Sequence, residues 1–183
     1  MRYKNLSILV LSAALLASLI GLWIARQPTQ GEVVGQCRVQ AEKFVLRVTA
    51  KREVGIIMPV PGTYYTYEYQ LPATSGWRTI AIFRHDDEIK DPCSQITSLN
   101  SSTTTFFIGW IYGMTTDSGK TWSIWNAETD LEGWHPVDYQ FIRSVHIDKD
   151  GRGIMHVNPE KFPSGQLLTE DYGKTWKPAQ NAK

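Results

Sequence analysis

The chain has no run of basic residues, no Cys-x-x-Cys pair, no two histidines at ligand spacing and no serine in a nucleophile-elbow setting. Each gap excludes a class of function. A nucleic-acid partner needs a concentrated positive patch, and none is present. A zinc site needs thiolates or imidazoles at short fixed spacing, so no metal and no cofactor are expected. An α/β-hydrolase needs its serine on a strained strand-to-helix turn, which is missing. Helical periodicity is scarce beyond the first thirty residues or so, which speaks against a helical bundle. Cysteine occurs twice, as Cys37 and Cys93.

Long apolar runs are absent except at the start. Leu6 to Ala25 carries no charge, with Arg2 and Lys4 before it and Arg26 after it. About twenty such residues make a helix long enough to cross a bilayer. Trp23 spoils the obvious cleavage site and no cysteine closely follows the run, so residues 1–26 read as an uncleaved signal anchor. The alternative is a signal peptide cut after Gly31. The positive residues ahead of the span put the N-terminus in the cytoplasm and the rest outside it. The expected location is the inner membrane, single-pass, with the C-terminal domain in the periplasm, or a secreted or periplasmic protein after cleavage. Residues 27–35 read as a polar linker and residues 36–183 as one domain. Three of the 19 basic residues, Arg2, Lys4 and Arg26, flank the apolar run, leaving 16 against 18 acidic residues for linker and domain together. Export and an even cysteine count predict a disulfide between Cys37 and Cys93, with two buried free thiols as the other reading.

The domain reads as strands and turns. Thr63 to Gln70 alternates, with Tyr65, Tyr67 and Tyr69 on one face and Tyr64, Thr66 and Glu68 on the other. Cys37 to Ala50 alternates in part, Val54 to Val60 is a short apolar strand, and Trp77 to Arg84 is another. Thr103 to Met114 is the most apolar stretch and reads as one strand in the middle of a sheet, covered on both faces. Phe141 to Ile147 and Gly153 to Asn158 flank Asp148-Lys149-Asp150-Gly151, whose Asp-Gly marks a hairpin.

Thr115-Thr116-Asp117-Ser118-Gly119-Lys120-Thr121-Trp122 returns as Thr169-Glu170-Asp171-Tyr172-Gly173-Lys174-Thr175-Trp176. Two copies of a turn-rich octapeptide imply a repeat architecture. The threonine and aspartate oxygens can cap nearby backbone amides, and the glycine supplies a positive φ. Thr74-Ser75-Gly76-Trp77 echoes the ending without the aspartate. Each octapeptide resembles the Asp box, Ser/Thr-x-Asp-x-Gly-x-Thr-Trp, of the sialidase-type BNR repeat. That resemblance implies a folding element on a β-propeller blade, away from any catalytic centre, so Thr115, Asp117, Gly119, Thr121 and Trp122, with Thr169, Asp171, Gly173, Thr175 and Trp176, are assigned structural roles. The expected fold is all-β, a small or incomplete propeller-like array of Asp-box hairpins, with a β-sandwich as the alternative.

No catalytic residue is assigned. Arg84 lacks the companion arginines of a sialidase site, and Asp86, Asp87, Glu88, Asp130 and Glu132 read as solvated loop charge; glycosidase activity is left open. Trp134, His135, Trp125 and Tyr139 are the expected partner contacts, because aromatic side chains in loops favour binding hot spots. The export signal and the segment from Met114 to Trp122 with its following hairpin resemble small immunity proteins of type VI secretion. Those proteins neutralise periplasm-acting lipase toxins. The resemblance implies a non-enzymatic protein-binding module whose partner is a toxin. A membrane-complex assembly factor and a carbohydrate-binding module are the alternatives.

Overall fold

A computed structural model describes residues 31–53, 62–86, 88–131 and 140–179. The apolar run, the Val54 to Val60 stretch and the Trp134 loop lie outside the described residues. No described helix is long and apolar enough to cross a membrane.

The described chain is all-β, in three antiparallel four-stranded sheets formed in sequence order. The first sheet holds β1 (Val33–Gln40), β2 (Val45–Arg52), β3 (Thr63–Gln70) and β4 (Arg78–His85). The second holds β5 (Ile96–Ser98), β6 (Thr104–Ile108), β7 (Ile111–Thr115) and β8 (Ser123–Asn126). The third holds β9 (Ile142–Ile147), β10 (Gly153–Val157), β11 (Gln166–Thr169) and β12 (Lys177–Pro178). Consecutive strands pair throughout, so each sheet is a simple meander.

Side-chain patterning decides how the sheets pack. In β3, Tyr65, Tyr67 and Tyr69 are buried while Tyr64, Thr66 and Glu68 are half-buried, as strand alternation requires. The tyrosine face meets the second sheet, where Tyr67 stacks on Phe106 with centroids 4.3 Å apart. Val48, Ala50, Phe83 and Ile108 complete that core. The second sheet's other face, with Tyr112, Met114 and Trp125, packs on Ile142, Ile147, Met155 and Leu167 of the third. The second sheet is therefore covered on both sides, and its strands carry no charged residue at all. Burial of the phenol is the main reason that Tyr67 and Tyr112 ionise only far above the usual tyrosine range.

Three expectations change. The stretch Thr103 to Met114 is two strands, β6 and β7, paired from Thr104↔Thr115 to Ile108↔Ile111. Gly109 turns between them at φ 58°, and a Cβ there would lie 2.1 Å from the Phe83 ring. Periodicity alone cannot see a turn whose residues are as apolar as the strands. Cys37 to Ala50 likewise splits into β1 and β2 around Ala41 to Phe44, and β1 opens at Val33, inside the stretch read as linker. The loop from Glu128 begins with a helical turn, Ala127–Asp130, capped by the Asn126 side chain on the Glu128 amide. The Asp148-to-Gly151 hairpin is present, with Gly151 at φ 89° and its amide donating to the Asp148 carbonyl.

Cys37 and Cys93 form a disulfide, with Cα atoms 6.1 Å apart. It ties the middle of β1 to the 3-10 turn Pro92–Gln95 that leads into the second sheet.

Candidate functional site

The two octapeptides occupy one structural position: each joins the third and fourth strands of its sheet. Their hydrogen bonds match. The Thr115 hydroxyl donates to Asp117 Oδ1 at 2.9 Å and accepts from the Gly119 amide at 3.0 Å. Asp117 accepts from the Thr121 amide at 2.9 Å and the Thr121 hydroxyl at 2.6 Å. In the second copy the four distances are 2.8, 2.9, 3.0 and 2.7 Å. Burial alone would push both carboxyls up. For each, bonds from the following threonine's hydroxyl and amide, the leading threonine's hydroxyl and a lysine amide outweigh that effect and hold the group below the usual aspartate range. Ser118 and Tyr172 also adopt positive φ, 62° and 63°, ahead of the glycines at 81° and 87°. Only the glycines were expected there.

Both turns are also packing elements. Trp122 lies 5.9 Å from Phe44 and 6.0 Å from Tyr69, both in the first sheet's region. Trp176 lies 5.3 Å from Tyr112 and 6.4 Å from Trp125, both in the second sheet. A Cβ on Gly173 would meet the Tyr112 ring at 2.4 Å. Each box thus inserts its tryptophan into the face of the sheet before it. Carboxylates so fully bonded within their own turn have little left to offer a substrate or a metal.

Trp77 stands where Trp122 and Trp176 stand, directly before its sheet's fourth strand. The described residues contain no earlier sheet for it to enter. Instead Arg47 stacks over its ring at 4.1 Å and Arg38 approaches at 5.6 Å. These arginines share the outer face of the first sheet with Gln36, Thr49, Lys51, Thr66, Glu68 and Ile82, as the strand registers dictate. Arg47 is paired with Glu68 across the strands at 2.7 Å. The strands of this sheet carry six Lys/Arg, Arg38, Arg47, Lys51, Arg52, Arg78 and Arg84, against Glu68 alone. Ile82, at 60% exposure, is the most exposed large apolar side chain described.

Other sequence candidates fall elsewhere. Trp125 is buried at 4% exposure and is not a surface contact, because its side chain faces the third sheet and packs beside Trp176. Trp134, His135 and Tyr139 lie outside the described residues, as do Asp87 and Glu132. Arg84 is held by Glu53 at 2.9 Å and by Asp86, in an ion-pair cluster. Asp130 accepts from the Asn126 amide within its own turn. His146 and His156 are not opposite each other, because His146 faces Ile154 and His156 faces Ser144. No group of three metal-ligating side chains occurs among the described residues. A cleft of about 620 Å³ forms where all three sheets contribute, lined by His85, Glu88, Gln95, Phe107, Gln140 and Arg143 among others. The aromatic–guanidinium face was missed in the sequence because Trp77 read equally well as core. The available signal was Arg38 and Arg47 falling on the polar phase of two adjacent strands.

Comparison with protein families, with characterised proteins and with solved structures finds no match.

Proposed function

We propose that this chain is a non-enzymatic protein-binding module, exported or held in the inner membrane by Leu6 to Ala25, with its Asp-box repeats forming an incomplete propeller-like array in the periplasm. Its partner is a periplasm-acting toxin that it neutralises by covering it. One observation carries the reading: on the outer face of the first sheet Trp77 meets only Arg38 and Arg47, at the position where Trp122, half-buried, and Trp176, buried, pack on the aromatic side chains of a neighbouring sheet. Tryptophan and arginine are the side chains that dominate binding hot spots. Occlusion needs only a preformed surface, and this one is stiffened by the Arg47–Glu68 pair and by two strand ladders.

The test is affinity capture from periplasmic extract, with the purified full chain as bait beside Trp77→Ala and Arg47→Ala baits. Loss of a hot-spot residue costs about 2 kcal/mol or more, roughly 30-fold in affinity. A partner held by the wild type and released by both variants supports the reading. Capture of the same partner by all three, or of none, removes it. A membrane complex as the captured partner would favour an assembly role.

The three-sheet cleft favours a second reading, a carbohydrate-binding module, because Gln95, Gln140, Glu88 and Arg143 offer both donors and acceptors beside Phe107. Glycan-array retention that Gln95→Ala abolishes would favour it over protein capture.

A further inference from the structure

We infer that a second copy of this chain seats head-to-tail on the first, the outer face of the first sheet of each copy covering the outer face of the third sheet of the other. The inference rests on the repeat register and not on the identity of any partner.

The two internal junctions follow one rule. A box tryptophan from the later sheet enters the forward face of the earlier one: Trp122 beside Tyr69, and Trp176 beside Tyr112 and Trp125. The rule leaves one unfilled position at each end of the stack. At the front, Trp77 has no sheet to enter among the described residues. At the back, the third sheet presents a forward face that nothing described covers. Superposing the two octapeptides places Leu168 at the position of Met114, Gln166 at that of Tyr112 and Ala179 at that of Trp125. Met114 is buried at 1% exposure, whereas Leu168 is 40% exposed and its neighbour Ile154 is 38% exposed. The small Ala179 and the two-residue β12 leave room where Trp125 fills the second sheet. A groove of about 710 Å³ runs beside the last two strands, lined by Leu168, Glu170, Asp171, Lys177 and Pro178 among others.

The two faces suit each other. Ile82 and Trp77 supply apolar bulk to meet Ile154 and Leu168. Arg38 and Lys51, in no ion pair among the described residues, supply charge opposite to Glu170. Closure follows from number. Sheets arranged in a ring typically close with about four to eight members, so three fall short. Two copies bring six. A head-to-tail contact that closes yields a finite pair with two identical junctions, and one that does not close grows into a filament. Pairing and the partner capture proposed above use the same face of the first sheet and exclude each other.

Sedimentation of the purified full chain in a mild detergent tests the inference without any partner. The wild type should show the mass of two chains. Ile82→Glu and Leu168→Glu, each at an exposed position on a different face, should each show the mass of one chain. An equimolar mixture should recover the two-chain mass, because one junction with both faces intact remains. Circular dichroism verifies that each variant keeps its sheet signal, and Ile154→Lys replaces Leu168→Glu if that variant unfolds. One-chain mass for the wild type at every concentration overturns the inference. So does a two-chain mass that survives either substitution, which is the result a face-to-face pairing of identical sheets would give, a filament, or a mixture that stays monomeric.

Discussion

Asp117 and Asp171 collect bonds from residues two before and four after themselves, so the turn is closed by side chains rather than by the backbone alone. Removing such an acceptor leaves two hydroxyls and an amide without their charged partner. Asp117→Ala and Asp171→Ala should each lower unfolding free energy by about 2–3 kcal/mol, the scale for hydrogen bonds to a charged group; urea titration measures it. The pH dependence has a definite sign. A carboxyl whose pKa is depressed in the folded chain contributes fully above its unfolded value, about 4 for aspartate. It loses that contribution as pH falls through the lower folded value. The urea midpoint should therefore drop below pH 4 or so, and the Asp117→Asn, Asp171→Asn double variant should show a flatter acid limb. An acid limb of unchanged steepness in that variant would sink the assignment. These turns were legible in the sequence because all their partners lie within a few residues. The positive φ at Ser118 and Tyr172 was not, since neither residue type announces it.

Strands were legible where one face is wet and the other dry. The Tyr65, Tyr67, Tyr69 alternation is the clear case. It failed in the second sheet, where both faces are buried and the β6–β7 turn is as apolar as its flanks. The binding face failed for a different reason: a tryptophan before a strand looks the same whether or not a sheet awaits it. That difference should appear in energetics. Trp176→Ala empties a buried site between Tyr112 and Trp125 and should cost about 3–5 kcal/mol. Trp77 is half-buried against two arginines, and Trp77→Ala should cost less, about 1–2 kcal/mol. Thermal and urea unfolding of the pair would check it. Equal losses at the two positions would mean that Trp77 is structural and would weaken both interface proposals.

The disulfide acts at the level of the whole molecule. It links the first sheet to the entry of the second across a sequence separation of 56 residues. Closing a loop of that length restricts the unfolded chain by about 4 kcal/mol in the chain-entropy model. Reduction, or Cys37→Ser with Cys93→Ser, should lower stability by that order in urea titration, with the sheet signal retained at low denaturant. Unchanged stability would show that the unfolded chain is already compact. The cysteine pair was legible, and tryptophans at spacings of 45 and 54 left the number of units between three and four. The order of packing was not, because contacts between sheets join residues far apart in sequence that no local pattern links. The uncharged second sheet has a further consequence. Its 17 strand residues hold neither an acid nor a base, so it stays soluble only between its two neighbours. A nick or premature stop that removes either end sheet would uncover a charge-free, largely apolar face, which is an aggregation liability. Such a fragment would precipitate rather than persist as a smaller working domain. The three described sheets thus depend on one another and should be lost together.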